Sequence, residues 1–148
     1  MIRPVLIALA LLVLCVPANA GLEITLREFR GIGHSETEAF SASAPWVIEW
    51  WSRPPTAIDH DPAHLEVYLY DAMTGEFLGR VVKHAGVGRG DMLIERGGRF
   101  RFRVQGQATR WELRVMQIDE EYAERLRETH RPRGGSSPRR PTLPGRTP

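Results

Sequence analysis

Histidine and aspartate residues stand close together in the middle of the chain, in the segment Asp59-His60-Asp61-Pro62-Ala63-His64. Imidazole and carboxylate groups are the common protein ligands of zinc and similar divalent ions. Pro62 disfavours a helix on which His60 and His64 would share a face, and no glutamate stands beside His60 as a zinc protease requires. Two interpretations stay open, a metal site formed by His60, Asp61 and His64 or a polar turn before a strand, and the pattern favours the turn.

Charged residues, mostly arginines, alternate with apolar residues in two segments, 99–104 and 110–115. The charged residues of the two segments are Arg99, Arg101, Arg103, Arg110, Glu112 and Arg114. If a hairpin joins the two segments, these residues share one face, which suits phosphate, sulfate or carboxylate groups. Solvated or carboxylate-paired arginines are the competing interpretation. The candidate contacts for an anionic protein surface or an envelope polymer are Arg99, Arg101, Arg103 and Arg114.

Three aromatic residues, Trp51, Tyr68 and Tyr70, fall at positions that should face outward. Exposed aromatic rings stack on sugar rings, bases or partner side chains, so these residues are candidates for a binding platform. Alternatively, a helix that follows the last strand covers them. In both interpretations we expect the three rings to cluster.

A glycine-rich stretch, Gly86-Val87-Gly88-Arg89-Gly90-Asp91, precedes a short apolar run. It lacks the Lys-Ser or Lys-Thr ending of a phosphate-binding loop and does not follow G-x-G-x-x-G, so it predicts no nucleotide site. Its Arg89-Gly90-Asp91 tripeptide is a sequence that some adhesion receptors bind at a loop tip. The favoured interpretation is a mobile loop.

The first 20 residues follow the order of an export signal. Arg3 precedes an apolar stretch that ends at Val16, and small residues stand at Ala18 and Ala20. We therefore predict cleavage after Ala20 and a periplasmic or secreted protein whose mature chain has no transmembrane segment. The only cysteine, Cys15, lies inside the apolar stretch, so the mature chain has no thiol for a disulfide or a metal site.

Charge is distributed unevenly along the chain. Residues 131–148 contain five arginines and no acidic residue, whereas residues 21–130 contain 14 basic and 18 acidic residues. A composition of Pro, Gly, Ser, Thr and Arg predicts a disordered tail. Such a tail either attracts anionic surfaces or only keeps the domain in solution.

Alternation of apolar and polar residues dominates residues 21–118 and is typical of strands with one buried face. The residues predicted to form the core are Trp46, Ile48, Trp50, Leu65, Val67, Leu69, Phe100, Phe102, Trp111 and Leu113. Turn sequences at 71–75, 97–98 and 105–108 suggest short hairpins. About eight strands without intervening helices predict an all-β fold, an antiparallel β-sandwich.

One helix is predicted after the last strand, over residues 119–130. Asp119 can cap it, and Glu120 and Glu121 in its first turn suit the helix dipole. Tyr122 and Leu126 give it a narrow apolar stripe that should lie on the sandwich.

The order of these packing motifs resembles a known pattern. Phe40-x5-Trp46-x-Ile48-x-Trp50, the strand 65–70, Gly97-Gly98-Arg99-Phe100-x-Phe102-x-Val104 and Trp111-x-Leu113-x-Val115 are similar to small secreted bacterial β-sandwich domains. The resemblance covers about residues 38–118. It implies a fold and an exported location and transfers no catalytic residue.

Motifs of enzymes are sparse in this sequence. It contains no G-x-S-x-G and no cysteine nucleophile in the mature chain, and it implies no cofactor. The expected function is therefore a non-enzymatic binding or structural module in the cell envelope or outside the cell, with no nucleic-acid partner. The alternative is a small metal-dependent or carbohydrate-active enzyme, which the metal content of the purified protein would distinguish.

Overall fold

A computed structural model describes residues 22–56 and 63–131. It confirms the all-β prediction, with nine strands and one C-terminal helix. The strands are β1 (Glu23–Ile32), β2 (Ser35–Glu36), β3 (Phe40–Ala42), β4 (Trp46–Arg53), β5 (His64–Asp71), β6 (Phe77–Ala85), β7 (Gly88–Ile94), β8 (Gly98–Gln107) and β9 (Arg110–Ile118). The helix α1 is Glu120–His130. The predicted signal peptide, residues 57–62 and residues 132–148 lie outside the described residues.

The strands form two antiparallel sheets. The four-stranded sheet has the order β1-β9-β4-β7, and the five-stranded sheet has the order β2-β8-β5-β6, with β3 also paired to β8. Apolar side chains from the inner faces of both sheets form one core, as expected for a β-sandwich. Within the described residues, no helix is long and apolar enough to cross a membrane.

Nine of the ten predicted core residues are buried, including Trp46, Trp111 and Phe102. Trp50 is the exception, because it is only partly buried at the margin of the core. Its ring packs against His84, with ring centroids 4.9 Å apart. Alternation therefore identified the correct face of each strand. Trp50 faces inward like its neighbours on β4 but packs at the border of the core, against His84.

The helix lies on the outer face of the four-stranded sheet. Its Ala123 is buried with Val47 and Met116, and Tyr122 and Leu126 pack beside them. Asp119 caps it, because Oδ1 accepts a hydrogen bond from the Tyr122 backbone N–H at 2.8 Å. Its other oxygen, Oδ2, accepts one from the backbone N–H of Leu22 at 2.8 Å. One carboxylate thus joins the start of β1 to the start of α1.

These two backbone bonds hold the pKa of Asp119 below its ordinary value. A carboxylate with a lowered folded-state pKa stabilises the protein above its unfolded-state pKa, and the contribution disappears as the pH falls through the folded-state value. Asn at position 119 can still cap the helix but does not titrate. When the pH is lowered from neutral to below 3.8, we therefore expect Asp119→Asn to lose less stability than the wild type loses. Thermal melting followed by circular dichroism measures this, and equal acid losses in both proteins would contradict it.

Two of the three predicted hairpins are wrong. Gly75 does adopt a positive φ of 75° in the turn between β5 and β6, which pair with each other. Residues 97–98 and 105–108, however, connect strands that belong to different sheets. The second of these crossings bends at Ala108, with φ of 45°, and the buried hydroxyl of Thr109 donates to the backbone oxygen of His64. A hydrogen-bonded crossing between sheets and a hairpin thus use similar turn residues.

The glycine-rich stretch is also not a mobile loop, because most of it belongs to β7, which pairs with β4. Gly88 and Gly90 face inward and leave room for the rings of His84 and Trp50. A Cβ atom on Gly90 would lie 2.7 Å from Cζ2 of Trp50. The tripeptide Arg89-Gly90-Asp91 is therefore part of a strand rather than a loop tip, which removes the basis for an adhesion motif.

Candidate functional site

Four outward-facing residues form a row across the four-stranded sheet. The register pairs Arg30 with Glu112, Glu112 with Trp51, and Trp51 with Arg89, so the row crosses β1, β9, β4 and β7. These side chains point outward because the next residue on β9, Trp111, and the next on β4, Ser52, are buried. We call Arg30, Glu112, Trp51 and Arg89 the central row.

Beside the central row, towards the end of β4, two arginines are direct neighbours on adjacent strands. Arg53 pairs with Arg110, and Arg110 also pairs with Ile32 of β1. Like charges directly opposite each other in an antiparallel pair destabilise a sheet. This pair therefore opposes folding through its charge.

The central row and its neighbours line a cleft of about 810 Å³, which we call the arginine cleft. Its charged side chains are Arg30, Arg53, Arg89, Arg110, Glu112 and Arg114. Trp51, Ile32 and Val87 supply apolar surface. Among the residues that the structure describes, five guanidinium groups thus share one concave surface with a single carboxylate, although residues 21–130 as a whole are acidic.

Two of the five arginines have carboxylate partners. Arg30 lies 3.2 Å from Glu112 and 3.3 Å from Glu28, and Arg114 lies 3.1 Å from Glu28 and 3.4 Å from Glu49. Across residues 22–56 and 63–131, no carboxylate forms an ion pair with Arg53, Arg89 or Arg110. Their guanidinium groups are the ones whose charge and hydrogen-bond donors can serve a ligand.

Trp51 stands in the middle of the cleft and is half-buried. The guanidinium of Arg114 lies over its ring, 5.2 Å from the ring centroid. This contact and the two carboxylates that hold Arg114 fix the orientation of both side chains. The indole is therefore held in a fixed orientation inside a cationic cleft, with a guanidinium over one of its two faces.

The helix borders the same region. Tyr122 of α1 lines a shallow depression with Trp51, Arg89 and Asp91, next to the arginine cleft. At the end of α1, Nε2 of His130 lies 3.6 Å from Oδ1 of Asp91. The C-terminal end of α1 therefore lies beside the cleft.

The predicted arginine row does not share one face. β8 belongs to the five-stranded sheet and β9 to the four-stranded sheet, so Arg99, Arg101 and Arg103 lie on the opposite side of the molecule from Arg114. Arg101 and Arg103 flank Glu36, at 3.5 Å and 3.7 Å. The hairpin that would have joined them is a crossing between sheets.

The three predicted aromatic residues do not cluster either. Trp51 lies on the four-stranded sheet, while Tyr68 and Tyr70 lie on the five-stranded sheet beside Phe77, with ring centroids 6.1 Å and 5.5 Å from it. The Tyr68 hydroxyl donates a hydrogen bond to Glu66, which lowers the pKa of Glu66 and raises that of Tyr68. Tyr68 is thus held by a partner in its own strand.

Of the predicted metal ligands, His60 and Asp61 lie outside the described residues. His64 begins β5, and its Nε2 lies 3.3 Å from Oε1 of Glu66. In the described part of the chain, no three histidine, cysteine or acidic side chains are grouped as a metal site requires. The metal hypothesis stays a prediction about the segment that contains His60.

No family model matches the chain, and no curated protein is significantly similar to it. The geometry of the site therefore carries the argument about function. Arg114 and Trp51 were predicted as site residues from the sequence, whereas Arg30, Arg53 and Arg89 were not. These three come from β1, β4 and β7, which lie far apart in the sequence. Each of the three alternates with inward-facing residues, but strand order is needed to bring them together.

Proposed function

We propose that the protein is a non-enzymatic binding module that holds an anionic partner in the arginine cleft. The observation that carries this proposal is the group of arginines without a carboxylate partner in the described residues, two of which, Arg53 and Arg110, oppose each other across adjacent strands. A bound oxoanion would neutralise this repulsion. Guanidinium groups bind carboxylate, sulfate and phosphate through two parallel hydrogen bonds, and no lysine lines the cleft.

The lining favours binding over catalysis. Arginine stays protonated and has no lone pair with which to accept a proton or attack a substrate. Among the described residues, Glu112 is the one carboxylate that lines the cleft, and its ion pair with Arg30 holds it in place as a hydrogen-bond acceptor. Export to the envelope or the exterior, as expected from the first 20 residues, belongs to the same proposal and identifies anionic envelope polymers as available partners.

Charge reversal in the cleft tests this function. We expect Arg89→Glu to weaken binding of dextran sulfate by about tenfold or more, because a hydrogen bond to a charged group contributes about 1.5–3 kcal/mol. Fluorescence anisotropy at low and high salt measures the affinity, which should fall steeply with salt. Arg101→Glu, on the opposite sheet, is the matched control and should change the affinity little.

Two further variants separate binding from folding and from the tail. Arg110→Gln removes one of two opposed positive charges, so it should weaken binding without lowering the melting temperature. A chain that ends at His130 should bind more weakly at low salt while keeping the effect of Arg89→Glu. Equal affinities of the wild type, Arg89→Glu and Arg110→Gln, or an affinity that is flat with salt, would refute the proposed function.

A further inference from the structure

We infer that the anionic partner is a linear polysaccharide carrying carboxylate or sulfate groups, bound across the strands of the four-stranded sheet with a sugar ring on Trp51. This inference rests on the proposed function and names the ligand class of the same cleft. Three observations carry it: the direction of the central row, the ring at its centre, and the carboxylate beside that ring.

The central row has the shape of a track for a chain molecule. It crosses four strands, which at a spacing of about 4.7–4.9 Å gives a length of about 14 Å. The cleft lies on the face of the sheet, where β9 and β4 have hydrogen-bonded neighbours on both sides. An extended peptide gains its main-chain hydrogen bonds at the edge of a sheet, so this face offers it none of them.

Trp51 lies between the two ends of this track, with Arg30 on one side and Arg89 on the other. The carbon-bound hydrogens of a sugar ring form an apolar face that packs on an indole, here on the side of the Trp51 ring that Arg114 does not cover. Acidic groups of neighbouring sugars would then reach the guanidinium group of Arg89 at one end of the row and those of Arg53 and Arg110 beside it. A ligand that was only an anion would need no aromatic ring at this position.

Glu112 is the decisive residue of the row. It stands next to Trp51 and lines the cleft, so it repels a ligand that consists of oxoanions alone. A carboxylate accepts hydrogen bonds, and sugar hydroxyl groups are donors. Arginines for acidic groups, a ring for the sugar face and a carboxylate for hydroxyls together match an acidic polysaccharide.

The test compares two carboxylate polymers of similar charge, polygalacturonate and polyglutamate, with dextran sulfate, uncharged dextran and single-stranded poly(dT). Calorimetric titration of the full chain is expected to show polygalacturonate or dextran sulfate binding about tenfold or more tightly than polyglutamate or poly(dT). Trp51→Ala should lower the affinity for the acidic polysaccharide about tenfold and leave the polyglutamate affinity unchanged. Trp51→Phe should restore most of the loss.

The matched control is Tyr70→Ala, which removes an aromatic ring from the opposite sheet and should leave every affinity unchanged. Thermal melting of each variant verifies that it is folded. If polyglutamate or poly(dT) binds as tightly as the acidic polysaccharides, or if Trp51→Ala binds like the wild type, this inference is overturned while the proposed function stands. If Arg89→Glu also leaves the binding of every polyanion unchanged, both the proposed function and this inference are refuted.

Discussion

Replacing Trp111 with alanine is expected to lower the free energy of unfolding by about 3–5 kcal/mol, as for other buried aromatic residues. Its side chain is 3% exposed, and its Nε1–H donates a hydrogen bond to the backbone oxygen of Gly33 at 2.9 Å. The substitution therefore leaves a cavity between the sheets and an unpaired acceptor. Urea unfolding followed by circular dichroism measures the loss.

Trp51→Ala is the matched control for this measurement. It makes the same chemical change on a neighbouring strand of the same sheet, but its ring lies on the outer face and is only half-buried. The loss of stability should be clearly smaller than that of Trp111→Ala. Equal losses for the two variants would show that Trp111 does not hold the sheets together as described.

A valine in place of Gly90 is expected to cost about 1–3 kcal/mol of stability, the range for overpacking a well-filled site. The new Cβ would lie 2.7 Å from Cζ2 and 2.9 Å from Nε1 of Trp50, so ring or strand must shift. Chemical unfolding quantifies the effect. If Gly90→Val is as stable as the wild type, β7 is not packed tightly against Trp50, and the prediction is contradicted.

The same contact predicts coupling between the two positions. In a Trp50→Leu background the side chain opposite Gly90 is smaller, so Gly90→Val should cost less there than in the wild type. The double-mutant cycle therefore gives an interaction energy that favours the double variant. Additive losses would mean that the cost arises from the backbone of β7 and not from the tryptophan ring.

Sequence pattern was sufficient for the fold class because alternation reports burial directly. Each strand that carries Phe100, Leu65 or Trp46 has one continuous apolar face, and these faces pack against each other inside the sandwich. The helix was equally readable, since Asp119 combines a capping side chain with an acidic first turn. The start of β7 was not readable, because the inward-facing residues of its first half, Gly88 and Gly90, are glycines and carry no apolar signal.

The site could not be predicted because it depends on which strands are neighbours. Arg30, Arg89 and Arg110 meet through pairings of β9 with β1 and of β4 with both β9 and β7. Turn residues such as Gln105 to Ala108 fit a hairpin and a crossing equally well, and choosing the hairpin placed the arginines of residues 99–103 beside those of residues 110–114. That single choice joined arginines of two different sheets into one expected face.

The strand order also decides when the fold can form. Among the described strands, β5 and β6 are the one consecutive pair that is hydrogen-bonded, and every other pairing closes a longer loop of chain. β1 can pair only after β9 is available, because β9 is its partner strand and Glu23 lies opposite Ile118. Folds dominated by such distant pairings form slowly, over milliseconds to seconds. During synthesis, which begins at the N-terminus, β1 therefore has no strand to pair with until β9 has been made. The arginine cleft cannot form before that point.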